Sequence, residues 1–165
     1  MLSWSTTHTP VGPFTAVVND TGAVLATGWT TDPDELVPLI SPGLRQPLQH
    51  RQDLGPVTEA VHRYFAGELD ALDGIQVEQR ASDFLEHAWR VLRKVPPGEP
   101  VSYTEYAHLA GRPKAVRAAA TACARNAAAL FVPCHRVVRS DGTLGGFRWG
   151  LEVKQQLLDH ERRAA

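Results

Sequence analysis

Between residues 82 and 126, helix-starting and helix-ending signals follow one another so closely that only a row of short, separately capped helices can accommodate them. Asp83 can cap a first helix whose apolar face holds Phe84, Ala88, Val91, Leu92 and Val95, and Pro96-Pro97-Gly98 ends it. Ser102-Tyr103-Thr104-Glu105 is a capping box that opens a second helix through Ala110, which Gly111 breaks. Pro113 starts a third, running to about Asn126. Two short helices joined by a glycine-containing turn make a helix-turn-helix candidate. A last helix is predicted over 151–163, with Lys154 and Glu161 seven residues apart and so on one face.

The first half is punctuated differently. Phe14, Ala16 and Val18 alternate, Asn19-Asp20-Thr21-Gly22 can turn the chain, and Val24-Leu25-Ala26 continues beyond, so 13–29 reads as a hairpin. Prolines at 33, 38, 42, 47 and 56 leave an irregular stretch with one short helix near 34–39. Pro56 opens a helix with Val57, Ala60, Val61, Tyr64 and Phe65 on one stripe, and Gly67 stops it. Residues 68–79 read as a connection holding at most one further strand.

Charge divides the chain near the same place. Residues 1–80 carry four arginines, no lysine and ten acids, a net of -6; residues 81–165 carry thirteen basic and eight acidic residues, a net of +5. An acidic half followed by a basic half points to a polyanionic partner for the second. The third helix concentrates the effect, with Arg112, Lys114, Arg117 and Arg125, no acid, and mostly alanine between them. Base-specific major-groove reading needs long polar side chains in a row. Small residues instead let a helix approach a narrow groove while cations meet phosphates, which suggests sequence-tolerant DNA contact. No apolar run is long enough to cross a membrane, and a cytoplasmic location is the default expectation.

With two cysteines, Cys123 and Cys134, neither a disulfide framework nor a four-cysteine zinc site is available. Cys134 stands in Val132-Pro133-Cys134-His135-Arg136-Val137, a thiol beside an imidazole in an apolar stretch. A free cysteine is only about 3 % ionised at pH 7, and the thiolate is the reactive form. These six residues suit either an activated nucleophile or a buried cysteine beside a charged pair. In an extended segment adjacent side chains point apart, so direct contact between Cys134 and His135 is awkward and leaves room for a bridging water. Arg136 reads as structural, paired with an acid.

Taken together, these residues resemble the O6-alkylguanine-DNA alkyltransferases. Pro133-Cys134-His135-Arg136-Val137 matches that family's signature, at the right spacing from Ser102-Tyr103, Arg117, Asn126 and the Lys154…Leu157-Leu158…Glu161 ending. The likeness runs from about Phe84 to Glu161 and is weaker over the hairpin and Tyr64-Phe65-Ala66-Gly67-Glu68. Val101-Ser102-Tyr103 and Gly146-Phe147-Arg148-Trp149-Gly150 look closest to the alkyltransferase domain of the bacterial adaptive-response regulator, whose zinc and transcription domain has no counterpart here; the chain reads as the free-standing repair protein.

The resemblance implies an α/β N-terminal domain with a ribonuclease-H-like sheet (1–80), then a mostly α C-terminal domain with a helix-turn-helix (81–165). It implies stoichiometric, irreversible alkyl transfer from O6-alkylguanine in double-stranded DNA, and from O4-alkylthymine, to Cys134. His135 would act through a water, Glu161 would orient the imidazole, and Asn126 would be a hinge; simple helix capping is the alternative for Asn126. Tyr103, Arg117, Lys114, Ala118, Ala119 and Arg125 would face DNA. Tyr103, Val137, Phe147, Arg148, Trp149 and Lys154 would line the substrate pocket, with Lys154 near the leaving oxygen. No cofactor or metal, a monomer and no membrane are expected. Three rival readings are an alkyltransferase-like binder, which would carry tryptophan in place of Cys134, a thiol hydrolase, and a dimeric transcription factor.

Overall fold

The computed structural model describes Met1–Ala165. The chain is a mixed α/β protein of two compact units, one of Met1–Arg80 with Ala127–Phe131, the other of Ala81–Asn126 with Val132–Ala165.

In the first unit four strands, β1 (Leu2–Thr9), β2 (Gly12–Val18), β3 (Val24–Gly28) and β4 (Leu48–His50), form one sheet in the order β3-β2-β1-β4. β1–β2 and β2–β3 are antiparallel, and β1–β4 is parallel. The expected hairpin is β2–β3. Asn19 Oδ1 shapes its turn by accepting from the backbone N–H groups of Thr21 (3.0 Å) and Ala23 (2.9 Å), and Gly22 takes φ +87°. The expected alternation does not hold: Phe14 through Val18 are all buried, so β2 is covered on both faces. β1 had no counterpart in the sequence reading. Its inward positions are Ser3, Ser5 and Thr7, whose polarity hides the period; Ser5 donates to Gln52 O, and Ser3 accepts from Gln49 and Arg51.

The short helix expected near 34–39 is two 3-10 turns, Pro33–Glu35 and Val37–Leu39. Helix α1 (Pro56–Phe65) buries Val57, Ala60, Val61 and Tyr64 as expected. Residue Val77 adds one parallel bridge to Val24. Residues 127–131, which stand inside the basic half of the sequence, belong to this unit. Thr27 N–H donates to Ala127 O (2.9 Å), the Thr27 hydroxyl to Ala129 O (2.5 Å), and Phe131 stacks on Phe14.

The second unit holds α2 (Asp83–Leu92), β5 (Val101–Ser102), α3 (Tyr103–Leu109), α4 (Val116–Arg125), β6 (Val137–Val138) and α5 (Leu151–Ala164). Ser82, not Asp83, caps α2, accepting from the Leu85 N–H; the buried stripe is accordingly Leu85, Ala88, Trp89 and Leu92, leaving Phe84 and Val91 half-buried. The capping box of α3 is complete: Glu105 N–H reaches Ser102 Oγ at 3.0 Å, and Ser102 N–H reaches Glu105 Oε1 at 3.1 Å. We expect Ser102→Ala to cost about 1 kcal/mol in urea unfolding; an unchanged midpoint would show the cap to be idle. α4 begins three residues later than Pro113 suggests, because 112–115 form a separate turn closed by Ala115 N–H to Arg112 O. β5 and β6 pair in parallel, Val101 with Val137 and Ser102 with Val138. That pairing brings the start of α3 beside the residues that follow Cys134. No helix is long and apolar enough to cross a membrane.

Candidate active site

Cys134 lies in a 3-10 turn, Cys134–Arg136, rather than in the extended segment expected. Pro133, at φ -81° and ψ 65°, makes an inverse γ-turn in which Cys134 N–H donates to Val132 O (2.8 Å), and Arg136 N–H then donates to Pro133 O (2.9 Å). Cys134 is buried, with 8 % of the residue exposed. Asn126, at the C-terminal end of α4, donates from Nδ2 to Val132 O at 2.8 Å. Its side chain also hydrogen-bonds Cys134. An amide offers N–H donors and a carbonyl acceptor, so one residue can hold the turn and the sulfur together.

Burial pushes the Cys134 thiol above its ordinary value, against the Asn126 hydrogen bond and the charges of Lys154 and Arg148. The resting sulfur is therefore a thiol, and attack from it requires a base.

His135 and Glu161 are both fully buried, with Nε2 2.7 Å from Glu161 Oε2. The same carboxylate takes Arg136 in a fork, Nε to Oε1 at 2.8 Å and Nη2 to Oε2 at 3.0 Å, while Arg136 Nη1 donates to Val95 O at 2.7 Å. The acid expected for Arg136 is thus Glu161 itself. Burial opposes ionisation of Glu161, yet the His135 ring and Arg136 outweigh it and hold the carboxyl well below the usual range. Burial lowers His135, against the pull of Glu161. The nearby charges of Arg136 and Lys154 work in the same direction as burial, so the ring stays uncharged. A carboxylate can only accept, so Nε2 carries the hydrogen and Nδ1 is the basic nitrogen. Nδ1 is buried with no hydrogen-bond partner in the protein.

Lys154 is fully buried, and its ammonium donates to Val137 O (2.7 Å), Gly146 O (3.2 Å) and Leu144 O. Burial lowers it, and the nearby thiols work the other way. It fastens the segment after β6 to α5. Tyr103, half-buried at the start of α3, lies on the same segment: a Cβ on Gly145 (φ +72°) would fall 2.8 Å from its hydroxyl. Only glycine permits both that backbone angle and that approach. Val137 is buried, and Phe147 and Trp149 are half-buried. Arg148 departs from the expected pocket lining, since its guanidinium donates to Asn126 O (3.0 Å) and Ala124 O (2.6 Å) at the end of α4.

On α4, Arg117, Thr121, Ala124 and Arg125 form the exposed face, with Lys114 and Arg112 exposed just before it. Ala119 corrects the sequence reading. It is 0 % exposed, on the face turned into the unit with Ala122, and offers no surface to DNA. Ala118 is half-buried in a cleft of about 470 Å³ between α2 and α4, beside Phe84 and Leu85. Sequence reasoning also missed Trp89, whose indole N–H donates to Ala122 O (2.8 Å), and Tyr106, whose hydroxyl donates to Ala88 O (2.6 Å); together they fix α2 against α3 and α4. No group of three or more His, Cys, Asp or Glu side chains gathers in a way that could hold a metal ion.

The family model described as "6-O-methylguanine DNA methyltransferase, DNA binding domain" matches residues 83–163. A methylated-DNA–protein-cysteine methyltransferase of Mycolicibacterium paratuberculosis is 36 % identical over 99 % of this chain and 94 % of its own length. The bifunctional transcriptional activator and DNA repair enzyme Ada of Escherichia coli is 52 % identical over 53 % of this chain, a quarter (25 %) of Ada's length. The crystal structure of Mycobacterium tuberculosis OGT in complex with DNA superposes with a TM-score of 0.81 at 29 % identity, covering 99 % of this chain and 94 % of that one. A sulfur, imidazole and carboxylate gathered beside a basic helix, together with likeness over nearly the full length of such relatives, place this chain in the family of methylated-DNA–protein-cysteine methyltransferases, proteins of DNA repair.

Proposed function

We propose that the chain restores O6-alkylguanine in double-stranded DNA by moving the alkyl group to Cys134, once per polypeptide. The observation that supports this best is the buried turn in which Asn126 holds the sulfur while His135, oriented by Glu161, keeps a basic Nδ1 without a protein partner. A water between Nδ1 and Sγ would pass the thiol proton to the ring. The thiolate then attacks the alkyl carbon: the C–S bond forms, the C–O6 bond breaks, and its electron pair stays on the base. The proton passes from the imidazole to the departing guanine. The thioether left on Cys134 has no leaving group that water can expel, so the protein is spent. The same displacement at O4 of alkylthymine follows.

A base inside a duplex is out of reach of a buried sulfur, so the nucleotide must be extruded. Arg117, exposed on α4, suits the vacated stack, with Lys114 and Arg125 on phosphates. Tyr103 would crowd the flanking phosphate, and the Cys134 and Val137 carbonyls would accept from the exocyclic amine of guanine. The sheet order β3-β2-β1-β4 with parallel β1–β4 supports the ribonuclease-H-like reading, and α3–Gly111–α4 the helix-turn-helix. Every candidate side chain lies in the second unit, which leaves the first a structural role. We read the protein as a monomer.

The test counts restored guanines. Excess duplex containing O6-methylguanine should lose one lesion per polypeptide and then no more; continued turnover would refute the proposal. We further expect the bulk of Trp149 to narrow the alkyl pocket, so that Trp149→Gly raises the rate with O6-benzylguanine; an unchanged rate would contradict this.

A further inference from the structure

Residues 144–150 carry two of the proposed pocket walls, Phe147 and Trp149, yet contain no regular structure. Two contacts hold their first part: Lys154 bonds the Leu144 and Gly146 carbonyls, and the Tyr103 ring packs closely against Gly145 with its hydroxyl hydrogen-bonded to the Gly146 backbone. Beyond Gly146 the chain makes a turn closed by Gly150 N–H to Phe147 O (3.1 Å), with Arg148 and Trp149 at its two corners. Arg148 reaches from its corner to the end of α4 and takes two carbonyls, Ala124 O at 2.6 Å and Asn126 O at 3.0 Å.

Both carbonyls stand at the C-terminal end of the helix. There the last backbone acceptors lack partners within the helix, and a cation is favoured by the helix dipole. Asn126 is the residue whose side chain holds Val132 O and Cys134. One guanidinium therefore joins the turn bearing Phe147 and Trp149 to the residue that holds the sulfur.

We infer that Arg148 is a positioning residue: by bridging the Ala124 and Asn126 carbonyls it fixes the Phe147–Gly150 turn against the end of α4 and so aligns the alkyl carbon with the Cys134 sulfur. The inference rests on the alkyl-transfer reading above. A planar fork is needed, because two carbonyl acceptors two residues apart at the helix end must be met at once, and a lysine ammonium supplies a point charge instead. Arg148 is exposed at the end of the α4 face that carries Arg117, Thr121 and Arg125, but its guanidinium is engaged by the two carbonyls, so its expected work is on the transfer step rather than on duplex affinity.

The experiment measures single-turnover methyl transfer from a duplex with one O6-methylguanine, across protein concentrations, so that affinity and limiting rate separate. Arg148→Ala should lower the limiting rate on the order of 10- to 100-fold, the scale of an ångström-sized misalignment, with affinity little changed. Arg148→Lys should recover little. Millimolar guanidinium chloride should restore a measurable part of the Arg148→Ala rate, while sodium chloride at the same ionic strength does not. An unchanged limiting rate overturns the inference, and so does a defect confined to affinity, which would make Arg148 a phosphate contact. A slow variant with a collapsed melting temperature and no rescue by guanidinium overturns it as well, since the bridge would then serve folding alone. Should the wild-type protein itself transfer nothing, it is the alkyl-transfer reading that fails.

Discussion

Cys134→Ser is expected to fold, bind duplex DNA and leave every O6-methylguanine in place. Serine differs by one atom, and the features that build the turn survive it: the Pro133 kink, the Cys134 N–H to Val132 O bond and the Asn126 amide on Val132 O. Chemistry does not survive it. A serine hydroxyl is far less acidic than a thiol, and a neutral imidazole can ease its proton away only with an aligned acceptor. The loss should be on the order of 10⁴-fold or more, comparable with removing a nucleophile from other catalytic groupings. DNA affinity should stay near wild type and fall with salt, because the exposed cations Lys114, Arg117 and Arg125 are untouched. Labelled methyl transfer and a binding isotherm check the two halves. Residual transfer at a substantial rate would mean that another residue takes the alkyl group.

Glu161→Ala is expected to damage stability and transfer together. The carboxylate is the shared partner of the His135 Nε2–H and of two Arg136 nitrogens, all buried. Removing one member of a buried charged cluster strands the other, at a cost of about 3–5 kcal/mol, which urea unfolding would report. It also frees His135 to move its hydrogen to Nδ1, the nitrogen that must accept. Glu161→Gln keeps an acceptor and should unfold later than the alanine variant while still transferring slowly. pH acts on the same cluster. The carboxyl is lower folded than unfolded, so its contribution is complete above about pH 4.3 and disappears as pH falls toward the folded value. His135 is lowered too, so stability should already slip below about pH 6.5, as the unfolded ring takes a proton the folded one refuses. A variant as stable as the wild type would contradict the shared-carboxylate account.

Local signals in this chain could be read, and long-range ones could not. The capping box at Ser102 and Glu105 is complete within four residues, and α1 shows its stripe in one decade of sequence. The cap of α2 lies one residue before the expected Asp83, because Ser82 and Asp83 are both good caps and only geometry chooses between them. β1 shows no period because, apart from Leu2, its buried positions are Ser3, Ser5 and Thr7, and the two serines find partners nearly fifty residues away. At the site, the family resemblance points to Cys134, His135, Asn126 and Glu161, and all four lie in one unit of the structure. Spacing could not show that Arg136 shares the Glu161 carboxylate, that Lys154 spends its donors on three carbonyls, or that Arg148 reaches back to α4. Ala119 stands on the other face: Arg117, Thr121 and Arg125 recur every four residues and mark the outward side, and Ala119, midway between two of them in sequence, is turned inward.

The most direct measurement is the mass of the protein after reaction with an excess of duplex carrying O6-methylguanine, followed by peptide mapping. Transfer to one sulfur predicts a gain of a single methyl group, complete at equimolar lesion and confined to the peptide containing Cys134. Restored guanine accompanied by a protein of unchanged mass, or a methyl group found on Cys123 instead, would contradict it.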